Sequence, residues 1–102
     1  MHKQLIYYKD NNGKTPFLEW YNSLDNSPKA LIIKRLQKVE RGLYGKTRNL
    51  KQGLIELKFE SGLRIYLIEE GNKIVILLCG GGKNNQDKDI KKAYEYIEDL
   101  KK

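Results

Sequence analysis

Gly53-Leu54-Ile55-Glu56-Leu57-Lys58-Phe59-Glu60-Ser61-Gly62-Leu63-Arg64-Ile65-Tyr66-Leu67 decides the fold, because its polarity alternates with a period of two. Ile55, Leu57 and Phe59 point one way and Glu56, Lys58 and Glu60 the other, which is the pattern of a half-buried strand. Leu63, Ile65 and Leu67 alternate in the same way with Arg64 and Tyr66. The two apolar sets share a face only if an odd number of residues joins them. Glu60-Ser61-Gly62 meets that condition, with Gly62 supplying the left-handed backbone such a loop requires. The stretch therefore reads as a hairpin with Lys58 directly opposite Arg64.

Working outward, Glu70-Gly71-Asn72 makes a second turn, and Ile74 to Cys79 is an unbroken apolar run expected of a central strand covered on both faces. Gly80-Gly81-Gly82 ends it. Asn84 or Asn85 then caps a last helix, with Asp87 and Asp89 in its first turn and Ile90, Ala93, Tyr94, Ile97 and Leu100 as its apolar stripe. Upstream, Gln4 to Tyr8 reads as a strand ending at Asp10-Asn11-Asn12-Gly13. Thr15-Pro16 opens a short helix through Phe17, Trp20, Tyr21 and Leu24. Ser27-Pro28 opens a second helix that buries Ile32, Leu36, Val39 and Leu43, shows Lys34, Lys38 and Arg41, and stops at Gly42 and Gly45. The order β-α-α-β-β-β-α describes one α+β domain over residues 1–102, with a largely antiparallel sheet and flanking helices. A chain of 102 residues leaves no room for a second core.

No stretch approaches the ~18 apolar residues of a membrane span, and the N-terminus carries no secretory pattern, so a cytoplasmic protein is expected. One cysteine, Cys79, excludes an internal disulfide, and one histidine, His2, leaves neither a metal site nor a Cys-His or Ser-His pair in prospect. No cofactor motif of the P-loop or dinucleotide type occurs. Net charge is +7, and residues 29–51 carry all of it: eight Lys and Arg stand against Glu40 alone. Concentrated positive charge suits a polyanion or an acidic protein, whereas a plain solvated helix face is the bland alternative. Lys58, Arg64 and Tyr66 share a face, and opposed cations across a hairpin are easier to understand if an anion binds between them. Two cations and a phenol fit a backbone phosphate and a stacked base. Alternatively Glu56 neutralises both cations and keeps the face soluble. Gly80-Gly81-Gly82-Lys83, between strand and helix, either turns its amides to a phosphate or only turns the chain.

Pro16-Phe17-Leu18-Glu19-Trp20, Gly53-Leu54-Ile55-Glu56-Leu57-Lys58, Gly62-Leu63-Arg64-Ile65-Tyr66, Leu77-Leu78-Cys79-Gly80-Gly81-Gly82-Lys83 and Gln86-Asp87-Lys88-Asp89-Ile90 together resemble the RelE/ParE toxin superfamily, and within it the HigB-like, phage-derived addiction-module killer branch. The resemblance implies a toxin of a type II toxin-antitoxin system that cuts mRNA on the ribosome without metal and inhibits translation. In that chemistry a ribose 2′-hydroxyl attacks the adjacent phosphate, aided by a proton acceptor, cations and an acid for the leaving oxygen. Carried over by position, Arg64 clamps the scissile phosphate, Lys58 stands where the branch usually has Arg, and Lys83 serves as general acid or phosphate ligand. Gln86 and Tyr66 are expected at the RNA, and Lys46, Arg48 and Lys51 on RNA backbone or ribosome. The implied partner besides mRNA is an antitoxin of helix-turn-helix type. Two alternatives within the resemblance are a ParE-like inhibitor of DNA gyrase and a non-catalytic binding module.

Overall fold

The structure, a computed structural model that describes residues 2–102, is organised around the same hairpin. In chain order the elements are β1 (Gln4–Tyr7), α1 (Pro16–Asn22), α2 (Asn26–Glu40), β2 (Thr47–Asn49), β3 (Ile55–Lys58), β4 (Arg64–Glu70), β5 (Ile74–Gly81) and α3 (Gln86–Leu100). Lys58 lies opposite Arg64 and Leu57 opposite Ile65, as the loop parity requires. Gly62 sits at φ 97°, and the Phe59 amide donates to the Leu63 carbonyl at 3.0 Å to close the turn.

The helices begin and end where residue chemistry directs. Thr15 occupies the N-cap position of α1 with Pro16 in its first turn, and Asn85 that of α3, in both cases without a side-chain capping hydrogen bond. Helix α2 starts slightly earlier than Ser27-Pro28 suggests, with Asp25 as its cap, and Gly42 at φ 81° follows its end. Leu43 falls beyond that end and is exposed rather than buried, and Leu100 at the last position of α3 is likewise exposed.

The sheet has the order β1-β5-β4-β3-β2. It is mixed: β1 runs parallel to β5, and the other three pairings are antiparallel. β2 is an element that the expected order β-α-α-β-β-β-α lacks. Thr47-Arg48-Asn49 is short, wholly exposed and without apolar alternation, so only its backbone pairing with β3 makes it a strand. Helices α1 and α2 cover one face, burying Phe17, Ile32 and Val39 against Leu57, Ile65, Leu67, Val75 and Leu77. Helix α3 covers the other, where Ala93 and Ile97 meet Tyr8, Leu54, Tyr66, Ile76 and Leu78. β5 is thus an interior strand, next to the β1 edge, and is buried on both sides, as its unbroken apolar run foretold. A radius of gyration of 12.7 Å agrees with the ~13 Å of a compact domain of about 100 residues.

Within β5 the register slips by one residue: Tyr66 faces Cys79 but Leu67 faces Leu77. Leu78 is the extra residue of a bulge, so Leu78 and Cys79 both turn to the α3 side. Beyond it Gly80 faces α1 and Gly81 faces α3.

Candidate anion-binding site on the α3 face

Antiparallel pairing aligns Arg48 of β2 with Glu56 of β3, and Glu56 with Tyr66 of β4, in one row on the α3 face. Glu56 is fully buried. A buried carboxylate requires donors around it, and this one has them. Arg48 Nε donates to Oε1 at 3.1 Å, while the Tyr66 hydroxyl and Gln86 Nε2 each donate to Oε2 at 2.9 Å. Arg64 Nε approaches Oε2 to 3.5 Å as an ion pair without a hydrogen bond. Burial pushes the Glu56 carboxyl upward, but the donated hydrogen bonds of Gln86 and Tyr66 and the Arg48 charge outweigh it and hold the group below the usual carboxylate range. The carboxylate therefore stays ionised and fixes side chains from two strands, β2 and β4, and one helix, α3.

The next row toward the open end of this face holds Lys58, Arg64 and Gly81. Arg64 Nη1 donates to the Gly62 carbonyl at 3.1 Å, and the alkyl chain of Lys83 packs over Gly62, 3.4 Å from where a Cβ would stand. Arg64 and Lys83 so meet at one glycine. Lys58, directly across from Arg64, is half-buried, and its ammonium makes no ion pair or hydrogen bond among the described residues. Together they place three cations beside two carboxylates, Glu56 and Asp89, whose buried Oδ2 lies against Gly81 across from Arg64, and the surplus is positive.

Several expectations change. The face is not open: α3 covers it as far as Gln86, and Tyr66 is fully buried with its hydroxyl committed to Glu56, so it stacks on no base. Burial and that carboxylate raise the Tyr66 hydroxyl far above its ordinary range, so it is a fixed donor. Gln86 too is bound to Glu56 instead of projecting outward. Arg48 belongs to the Glu56 row, whereas Lys46 and Lys51 are exposed on either side of β2. Glu56 itself is the residue that sequence reasoning cast only as a neutraliser; it neutralises Arg64 and Arg48, not Lys58.

The triple glycine is no phosphate cradle. Gly80 and Gly81 are strand residues, and a Cβ would lie 2.3 Å from the Trp20 ring at Gly80 and 1.9 Å from Asp89 Oδ2 at Gly81. Their role is to admit two side chains against the backbone. The Cys79 thiol beside them is buried, which with the nearby Asp89 pushes it up to about 12. Among the described residues no group of three or more His, Cys, Asp or Glu could hold a metal ion. Nor is any helix of the described residues long and apolar enough to cross a membrane.

No family model matches the sequence. Over 87 residues the chain is 38% identical to an uncharacterized protein of Haemophilus influenzae, a match that covers 82% of this chain and 88% of that one.

Proposed function

The chain belongs to one family with the uncharacterized Haemophilus influenzae protein, and from the cation cluster we propose that it is a RelE-like toxin: a metal-independent endoribonuclease that cuts mRNA on the ribosome in the cytoplasm. The observation that supports this most is the meeting of Lys58, Arg64 and Lys83 at the end of the hairpin. In 2′-hydroxyl attack the phosphorane gains negative charge, so cations held in place beforehand stabilise the transition state more than the substrate. Arg64 faces that charge through its Nη atoms. Its Nε is anchored toward Glu56 and its Nη1 at Gly62, so little side-chain freedom is lost on binding. Lys58 contributes a second positive charge; as the bond between the 2′-oxygen and phosphorus forms, the hydroxyl proton passes to solvent water, and as the bond to the 5′-oxygen breaks, that oxygen is protonated by Lys83, or by water where Lys83 binds the phosphate. Glu56 touches no substrate; it is a positioning residue.

The test is induction of the chain in a bacterial host lacking its antitoxin, followed by mapping of RNA 5′ ends. Cuts in frame within translated messages support the reading. Intact messages with a DNA-damage response would transfer it to gyrase inhibition. The implied antitoxin is a helix-turn-helix protein.

A further inference from the structure

A trough runs along the flank of α2 beside the turn that joins β3 to β4. Leu31, Arg35, Lys38, Leu43, Lys46 and Phe59 line a hollow of about 520 Å³, and Pro28, Leu31, Ser61 and Leu63 a second, more apolar one of about 350 Å³. Leu31 and Ser61 belong to both, so the two are continuous. Leu31 is 49% exposed and Leu43 53%. On α2, Leu31, Arg35 and Lys38 stand at i, i+4 and i+7 and share one stripe. From Pro28 to Lys38 the helix offers about 15 Å of length.

The charge of this trough is uncompensated. Arg35, Lys38, Lys46 and Lys58 line it against Glu60 as the one carboxylate. The ammonium groups of Lys38, Lys46 and Lys58 make no ion pair or hydrogen bond among the described residues. The Arg35 guanidinium donates to the carbonyls of Tyr44, Lys46 and Lys58, which position it without cancelling its charge. Backbone groups, by contrast, are already engaged. Those three carbonyls accept from Arg35, the Lys58 amide donates to the Lys46 carbonyl at 2.9 Å, and β2 occupies the edge of β3. An extended segment therefore finds no free strand edge in the trough.

What fits is an occupant held by its side chains, apolar toward Leu31 and Leu43 and acidic toward the four cations, which is the helix-in-groove mode of recognition. RNA matches less well. Among the described residues Phe59 is the one aromatic ring lining the trough, and Arg35 lies over it at 4.8 Å, so bases have no free ring to stack on. A second copy of the chain would bring +7 against +7. We infer that the trough between α2 and the turn joining β3 to β4 is a docking groove for an acidic amphipathic helix of a partner protein, about three turns long. The inference shares only Lys58 with the proposed cleavage site and is read by binding, whatever that site does to RNA.

The experiment titrates the isotopically labelled full chain with the capped peptide Asp-Glu-Leu-Ala-Glu-Leu-Leu-Glu-Ala-Leu-Glu-Asp and follows amide shifts by NMR. Shifts are expected at Leu31, Arg35, Lys38, Leu43 and Phe59. The double change Lys38→Glu and Lys46→Glu, both at exposed positions that leave the core untouched, should weaken binding at least about tenfold. A peptide with lysines in place of its acids should reverse the preference and bind that double variant at least about tenfold more tightly than the parent. Leu31→Lys adds a cation but removes an apolar contact, and should weaken the acidic peptide at least about threefold. The inference is overturned by shifts confined to other faces, by equal binding of a scrambled peptide, by no binding at roughly millimolar peptide, or by tighter binding to Leu31→Lys, which would reduce the contact to charge alone. A single-stranded oligouridine that shifts the same amides and displaces the peptide would also overturn it and assign the trough to RNA.

Discussion

Glu56 and Arg64 are coupled but do different work, and substitutions separate them. Arg64→Ala leaves Glu56 with Arg48, Tyr66 and Gln86 as donors, so the chain should fold while cleavage falls by roughly 10²- to 10³-fold. In vitro cleavage of ribosome-bound message, with circular dichroism as the folding control, measures both. Glu56→Ala strands the Tyr66 hydroxyl and Gln86 without an acceptor, leaves the buried Arg64 Nε without its counter-charge, and should cost about 3 to 5 kcal/mol in denaturant unfolding. The depressed Glu56 pKa also has a pH signature. Near pH 4 the unfolded chain binds the proton that the folded chain refuses, so this stabilisation is complete above the ordinary carboxylate value of ~4.3 and is lost as pH falls through the lower folded value. In Glu56→Gln that acid-side slope should flatten, and an unchanged slope would assign it to other carboxylates. Cys79, with its thiol pushed up to about 12, should resist alkylation at pH 8 in the folded chain and react only as the chain opens, which a thiol-reagent time course with and without denaturant reads directly.

At the scale of elements, the bulge at Leu78 governs what the end of β5 can do. Strict alternation would have turned Cys79 toward α1 and Gly80 toward α3; the inserted residue reverses them and lays Gly80 under Trp20. Gly80→Ala then drives a methyl into the indole at 2.3 Å and should destabilise by about 1 to 3 kcal/mol. Combining it with Trp20→Leu should cost less than the two single changes added together, because the clash is shared, and a double-mutant cycle on unfolding free energies checks this. The glycines resembled a phosphate loop in sequence because a residue type does not reveal whether its missing side chain makes room for a ligand or for a neighbour. Similarly, the α3 stripe was legible from its spacing, but which residues it would cover was not. That is why Tyr66 and Gln86 were expected at the RNA and lie instead in the Glu56 row.

For the whole molecule, charge is the governing quantity. The +7 surplus lies in residues 29–51, but its members have separate duties. Arg35 donates to the carbonyls of Tyr44, Lys46 and Lys58 and so staples the segment before β2 to the end of β3. Arg48 is held by Glu56, whereas Lys46 and Lys51 project into solvent. Replacing Lys46 and Lys51 by Ala should reduce the salt slope of ribosome binding by up to about two counterions and leave stability unchanged. Arg48→Ala should instead cost about 1 kcal/mol of stability, the pair being 46% exposed on the arginine side and screened accordingly. Binding isotherms across salt concentrations, beside unfolding curves, distinguish the two duties.

The sequence by itself determined the hairpin, its register, the three helices and the burial of β5 on both faces, because periodicity of two or of 3.6, an unbroken apolar run and the backbone demands of Gly62 and Gly42 are local properties. It also determined where the positive charge would be. Tertiary structure alone decided that β1 joins β5 in parallel, that Thr47–Asn49 becomes an edge strand, that β5 carries a bulge, and that Glu56 gathers Arg48, Arg64, Tyr66 and Gln86. Each of these depends on contacts between residues remote in sequence, and such contacts are chosen by how the assembled layers satisfy backbone and buried charge, which no local pattern encodes.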